Sequence, residues 1–184
     1  MTAQSLLTVA DWDLMPDDGN RYEIIEGDLY VSCAPSLFHQ LVVTGFLKHI
    51  ANHLDRYPIG IVAPGPGVIF DEFNGVIPDV IFLSNERRAQ VAIGQRLTGA
   101  PDLVIEVLSP GRDNERRDRV VKRRLYARFG VKEYWIASLQ NRTIEIYRLK
   151  DGMLEHTVTL DETQQISTEL LPGFRCSVQS IFQV

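Results

Sequence analysis

Short apolar runs separated by polar turns fill most of this chain, and the runs change period along it. Leu7 to Met15 reads as a short helix with Thr8 as N-cap and Pro16 beyond its end. Tyr22 to Ile25 and Leu29 to Ser32 predict a hairpin across Glu26-Gly27-Asp28. A long helix follows over Leu37 to Arg56, with an apolar stripe of Val43, Phe46, Leu47, Ile50 and Leu54. Ile59 to Ala63 and Val68 to Phe70 read as strands joined by a Pro-Gly-Pro-Gly turn, and Val80 to Leu83 as a third. Ser84 to Ile93 is polar, with at most one helical turn. Leu103 to Leu108 is an apolar strand, then comes a charged helix of about three turns, then Gly130 and a strand from Tyr134 to Ala137. Thr143 to Arg148 and Leu154 to Leu160 pair across Lys150-Asp151-Gly152. The tail is irregular, with Phe174 to Cys176 read as strand and Val178 to Phe182 as a last helical turn.

This order predicts an α/β (α+β mixed) fold: a central mixed sheet flanked by helices, with a C-terminal edge hairpin after Asn141. A chain of 184 residues, without repeats or linkers, predicts one domain over 1–184.

Two positions break the apolar pattern. Glu106 sits in the middle of Leu103 to Leu108, where a bare carboxylate is costly without a metal, a proton or a partner. On the following helix, Val121, Leu125 and Phe129 share one side at about 100° per residue, and Asp118 and Lys122 fall among them. Arg116, Arg117, Arg119, Arg123 and Arg124 point elsewhere, and Val120 breaks the pattern outward.

The net charge of −5 argues against a protein coated in positive charge for nonspecific nucleic-acid binding. Charge is uneven, however: Arg112 to Arg128 hold eight Lys/Arg against three Asp/Glu, a local basic ridge compatible with a phosphate-bearing substrate. Cys33 and Cys176 match no metal-ligand spacing and read as buried, reduced thiols. No apolar run approaches a membrane span, and the first residues lack a basic signal region, so the expectation is a cytoplasmic protein with no membrane partner.

Asp79, opening the strand Val80 to Leu83, gives a second acid on a second apolar strand. If those strands are neighbours, Asp79 and Glu106 converge on one divalent cation, since Mg²⁺ commonly takes one or two carboxylates plus water and substrate phosphate. Lys122 would then orient the attacking water or neutralise transition-state charge. The bland reading stands beside it: Asp79 caps a turn and Lys122 neutralises a buried Glu106. Glu23 is either a third carboxylate or an exposed strand acid, and Asp118 either a supporting acid or a helical partner of Lys122. His39 on an apolar face reads first as a core histidine, and His49 with His53 as a solvated flank lacking a third ligand.

Several fragments recur together: YEIIEG at Tyr22, PS..H at Pro35, PDV at Pro78, VIEVLSP at Val104, D...K...Y from Asp118 and GVKEYW at Gly130. As a set, running from about Asp11 to Leu149, they resemble the Uma family of restriction-endonuclease-like proteins, a domain of unknown function large in cyanobacteria and other bacteria. That family lies in the PD-(D/E)XK nuclease superfamily. The resemblance implies a restriction-endonuclease-like core and a metal site from Asp79 and Glu106; the Val107 carbonyl, next along the strand, is a further candidate ligand. Leu108 stands where the superfamily lysine is expected, two residues after Glu106. The resemblance assigns that role to a lysine migrated to the next helix, Lys122, and matches Glu23 to the family's N-terminal acid. The loop Ser109 to Asp118 reads as longer than usual and lacks the common Ser-Thr after the proline.

The combined expectation is a Mg²⁺-dependent endonuclease, with Mn²⁺ as a substitute, acting on nucleic acid and on DNA before RNA. Asp79, Glu106, Lys122 and Glu23 carry the chemistry in this reading. Arg112, Arg116 and Arg119 contact phosphate, Asp118 and His39 support the site, and the protein is a homodimer because duplex cleavage needs two centres. The rival expectation is a catalytically silent nuclease-like fold kept as a nucleic-acid-binding or assembly module.

Overall fold

The computed structural model describes residues 6–183. A short helix α1 (Val9–Trp12) begins at Thr8, whose N–H and hydroxyl both donate to the Asp11 carboxylate. β1 (Arg21–Ile25) and β2 (Asp28–Ser32) form the expected hairpin, turning through Glu26 and Gly27 at positive φ. α2 (Leu37–Leu54) is capped by Ser36, whose hydroxyl accepts the His39 N–H. Then come β3 (Gly60–Pro64), β4 (Val68–Asp71), β5 (Asn74–Val76) and β6 (Val80–Ser84). After α3 (Asn85–Val91), β7 (Ala92–Ile93) and β8 (Arg96–Leu97) make a small hairpin, and β9 (Leu103–Val107) is the central apolar strand. α4 (Arg112–Arg116), a π-helical segment (Arg117–Lys122) and α5 (Arg123–Arg128) follow without a break. β10 (Glu133–Ser138), β11 (Thr143–Lys150) and β12 (Met153–Leu160) complete the main sheet, and β13 (Gln165–Ile166) pairs with β14 (Cys176–Ser177) before α6 (Val178–Phe182).

The main sheet runs β12-β11-β10-β9-β6-β3 and is mixed: β9 and β10 are parallel, and every other pair is antiparallel. The Thr143–Leu160 hairpin extends that sheet, with β12 on its edge. A second sheet, β2-β1-β5-β4-β8-β7, was not legible in the sequence, because its strands are short and two of its pairings run through single residues.

Burial of the main sheet on both faces explains the unbroken apolar runs. Val80, Phe82, Leu103, Ile105, Val107 and Trp135 pack against Val42, Phe46 and Ile50 of α2 and against Ile181 of α6. Ile81, Leu83, Val104, Tyr134 and Ile136 face the other way, onto Leu125 and Tyr126 of α5 and onto Ile25, Val68 and Val76 of the second sheet. Period-two alternation thus sends Asp79 and Glu106 to the second face, toward the helix and the second sheet.

Several expectations need correction. The charged helix runs from Arg112 to Arg128, longer than three turns, so the preceding loop ends at Gly111 and not near Asp118. The first helix shrinks to Val9–Trp12. Cys33 is exposed, and only Cys176 is buried. His53 is buried rather than solvated, wedged between the rings of Tyr57 and Phe174. Its burial comes from the C-terminal segment folding back over α2, a long-range contact that helical spacing cannot reveal.

Gly60 marks the tightest approach between β3 and β6, the strand entered from Asp79. A Cβ there would lie 2.1 Å from the Leu83 carbonyl oxygen and 2.6 Å from the Phe82 ring. Gly60→Ala is therefore expected to destabilise the fold by about 1–3 kcal/mol, read from urea denaturation midpoints. An unchanged midpoint would contradict this packing.

Candidate active site

β6 and β9 are antiparallel neighbours, with Val80 opposite Ile105. One step further, Asp79 and Glu106 stand across from one another with their side chains on the same face. The Val107 N–H donates to Asp79 Oδ2 at 2.9 Å, tying the acid of one strand to the backbone of the other. Asp79 Oδ1 takes Arg21 at 3.0 Å, and Oδ2 takes His39 Nε2 at 3.1 Å. The same His39 nitrogen lies 2.9 Å from the Val107 carbonyl oxygen. Two acceptors on one ring nitrogen make Nε2 the protonated one.

Lys122 arrives from the helix. Its ammonium lies 2.9 Å from Glu23 Oε1, 3.0 Å from Glu106 Oε1 and 3.9 Å from Asp118 Oδ1. Glu23 belongs to the second sheet and Glu106 to the main one, so a single nitrogen joins both sheets and the helix. The backbone N–H of Ile77 also donates to Glu23 Oε1, at 2.8 Å. Asp118 and Lys122 both sit in the π-helical segment, where the wider turn keeps residues four apart close to one face. All four acids and the lysine are buried, with at most 6% of any of them exposed.

Three groups at the site had no assigned role in the sequence. Tyr126, the last residue of the D...K...Y fragment, donates its hydroxyl to Glu106 Oε1 at 2.7 Å. Arg117, read as pointing away, turns inward beside Asp118, with Nε 3.5 Å from Oδ1. Arg21 had no local signal, because only the sheet topology brings it to Asp79. Of the three arginines expected at phosphate, Arg112 and Arg116 are exposed on α4, whereas Arg119 is engaged by Glu115 and by Glu145 of β11. Arg119 thus braces the helix against the sheet, which leaves its guanidinium less free for substrate than a helical wheel suggests.

Burial dominates the electrostatics. It pushes the Glu106 carboxyl up to about 8; Lys122 opposes the rise, and Asp79, Asp118 and Glu23 add to it. Asp118 is also raised, by burial against the pull of Lys122 and Arg117. Burial acts in the same sense on Asp79, but the His39 hydrogen bond and charge, the Val107 N–H and Lys122 outweigh it and hold that carboxyl below its ordinary value. Lys122 loses solvation too, yet Glu106, Glu23 and Asp118 keep its ammonium charged well above the usual lysine range. The pair therefore splits into one ionised acid, Asp79, and one acid, Glu106, that holds a proton more readily than an ordinary carboxyl. Both donors to Glu106, Lys122 and Tyr126, reach Oε1, which directs that proton, or a cation, to Oε2.

A cavity of about 40 Å³ lies among Asp79, Glu106, Val107 and Lys122, the room of a single water or ion. Among the described residues, no three His, Cys, Asp or Glu side chains form a closed metal cage. The donors present are two carboxylates and a backbone carbonyl. This is an open set of hard oxygens, which suits a Mg²⁺-type ion that keeps several waters better than it suits zinc.

A profile of the Uma2 family, described as "Putative restriction endonuclease", matches residues 9–179. The chain belongs to that family. Uma2 membership supports nuclease chemistry on nucleic acid, and restriction-endonuclease-like proteins generally use divalent metal ions. Among solved structures, the chain is similar to one described as a "putative nuclease belonging to DUF820" from Anabaena variabilis. That likeness has a TM-score of 0.78 and 18% identity, over 96% of this chain and 97% of the other. It shows the fold, a mixed sheet flanked by helices. No curated protein matches the sequence. Among the described residues, no helix is long and apolar enough to cross a membrane.

The folded protein holds the Glu106 proton more tightly than the unfolded chain does. With respect to this group, stability is greatest below the ordinary value of 4.5 and falls as pH rises toward about 8. Asp118 acts in the same direction, while Asp79 withdraws its contribution only in acid, below its ordinary value of 3.8. The melting temperature of chelator-treated protein is expected to fall between about pH 5 and about pH 8, and Glu106→Gln to flatten most of that slope. A wild-type profile already flat across this range would contradict a proton on Glu106.

Proposed function

We propose that this Uma2 protein is a divalent-metal-dependent endonuclease that hydrolyses phosphodiester bonds of nucleic acid, DNA before RNA, with Mg²⁺ as its ion and Mn²⁺ as a substitute. The observation that carries this reading is the buried Lys122 ammonium, 3.0 Å from Glu106, beside Asp79 on the adjacent strand. Asp79, Glu106 and the Val107 carbonyl would hold the ion. When bound, it would supply Lewis-acid charge at the phosphate and a water of lowered pKa.

The chain's own groups do the rest. Lys122, fixed by Glu23 and Asp118, orients the attacking water and offsets the charge that develops on the phosphoryl oxygens. Tyr126, kept a neutral donor by burial and by the charge of Glu106, holds Oε1 in place so that Oε2 faces the cavity. Arg112 and Arg116, exposed on α4, meet the flanking phosphates. Cutting both strands of a duplex would draw on two copies of the site, hence a homodimer.

One observation favours the rival, a silent nuclease-like module: both Asp79 oxygens already have protein partners in Arg21, His39 and the Val107 N–H. The two readings differ in outcome. For the enzyme, Mg²⁺ or Mn²⁺ raises the melting temperature, plasmid is nicked, and Glu106→Ala or Lys122→Met lowers the rate about 10²-fold or more. For the silent module, neither ion shifts melting, no nicking occurs, and Glu106→Gln preserves or raises stability.

A further inference from the structure

Beside the acid cluster lies a second, much larger cavity of about 850 Å³, within the size range of small-molecule sites. Its walls come from the end of β2, the Cys33–Ser36 loop, the start of α2, the Leu108–Pro110 loop, α4 and the turn after β10. It therefore opens at the carboxyl ends of the parallel strands β9 and β10, the usual end for ligands on parallel strands. Ser32, Cys33, Pro35, His39 and Ser109 line both this cavity and the small one that holds Asp79, Glu106 and Lys122. The two spaces therefore adjoin, separated by no more than these shared walls.

The chemistry of the walls differs from that of a phosphate track. Among the described lining residues none is Lys or Arg, and the one acid, Glu115, is paired with Arg119. Val31, Leu108 and Leu139 supply apolar surface. Phe38, on the first turn of α2, lines the cavity and is 61% exposed, an aromatic ring available for stacking. The amides of Asn114 and Gln140 add donors and acceptors. A flat, neutral, apolar-faced group with hydrogen-bonding edges fits such a site, and an anionic one does not. On a strand whose phosphate sits at the acid cluster, the adjoining group of that description is the base.

We propose that this cavity receives an unstacked nucleobase of the strand being cut, stacked on Phe38, so that the substrate is single-stranded or locally opened nucleic acid rather than closed duplex. The proposal rests on the nuclease reading above and deepens it. The scissile phosphate lies at Asp79, Glu106 and Lys122, and the neighbouring base turns into the large cavity. In a duplex, both faces of that base are stacked and its edge is paired, so it cannot occupy the cavity without opening.

The test measures binding of the full chain, carrying Glu106→Gln to prevent cutting, to three fluorescent probes of equal length: oligo(dT), the same strand with abasic sites, and a closed duplex. The oligo(dT) is expected to bind about tenfold more tightly than the abasic strand. Phe38→Ala should erase that preference while leaving abasic binding unchanged, and Phe38→Trp should restore it. Because Phe38 is largely exposed, its replacement leaves the core intact, which a melting curve verifies. Equal affinity for base-bearing and abasic strands, or a Phe38→Ala variant that keeps the preference, overturns the proposal. Cleavage with Mg²⁺ by the chain with Glu106 intact separates the two claims. Duplex cut as fast as single strand, with Phe38→Ala silent, leaves the nuclease and removes the base pocket. Base-dependent binding without any cutting leaves the pocket and removes the nuclease.

Discussion

One buried ammonium organises the centre of this protein. Lys122 Nζ meets Glu23 from the second sheet, Glu106 from the main sheet and Asp118 from its own helix. Taking such charges out of water costs several kcal/mol per ion, repaid only where partners are close and well oriented. Loss of one partner leaves the others buried and uncompensated, a penalty of about 3–5 kcal/mol. The cluster is consequently also a fastener. It fixes the distance between two sheets that otherwise meet through apolar contacts of Ile25, Val68 and Val76 with the opposite face.

That fastener has more acid than base. Glu23, Asp79, Glu106 and Asp118 face Lys122, Arg117 and Arg21, and burial answers the imbalance by lifting Glu106 to about 8 and raising Asp118 above its ordinary value. Glu106 lies beside a cavity the size of one ion, and the proposed metal site would draw on that same cost of burial. Asp79 is the contrasting member: His39 and the Val107 N–H keep it ionised.

The helix is the delivery device. Its π-helical segment carries Asp118 and Lys122 inward and turns Arg117 with them, while Arg119 grips Glu145 of β11. Local widening of this kind is found frequently at functional sites; here it comes with Arg117 turned inward beside Asp118 and Lys122, which share a face by helical spacing in any case. Beyond the helix start, the carboxyl ends of β9 and β10 leave open the larger cleft in which Phe38 stands exposed.

Much of this was written in local sequence. The apolar run with Glu106, the inward phase of Asp118 and Lys122, the two hairpins and α2 follow from periods of 2 and 3.6, which depend only on neighbours along the chain. The PDV…VIEV…K fragments were legible in another way, as a resemblance to a known family, which the Uma2 match over residues 9–179 bears out. Other features belong to tertiary structure alone. The 79–106 register, the second sheet, the Arg21 contact to Asp79, the burial of His53 and the exposure of Cys33 each depend on segments tens of residues apart. The sequence determined which side chains were too costly to bury alone; only the packing of two sheets against one helix decided that they would be buried together, because solvation is lost residue by residue whereas charge compensation requires three dimensions.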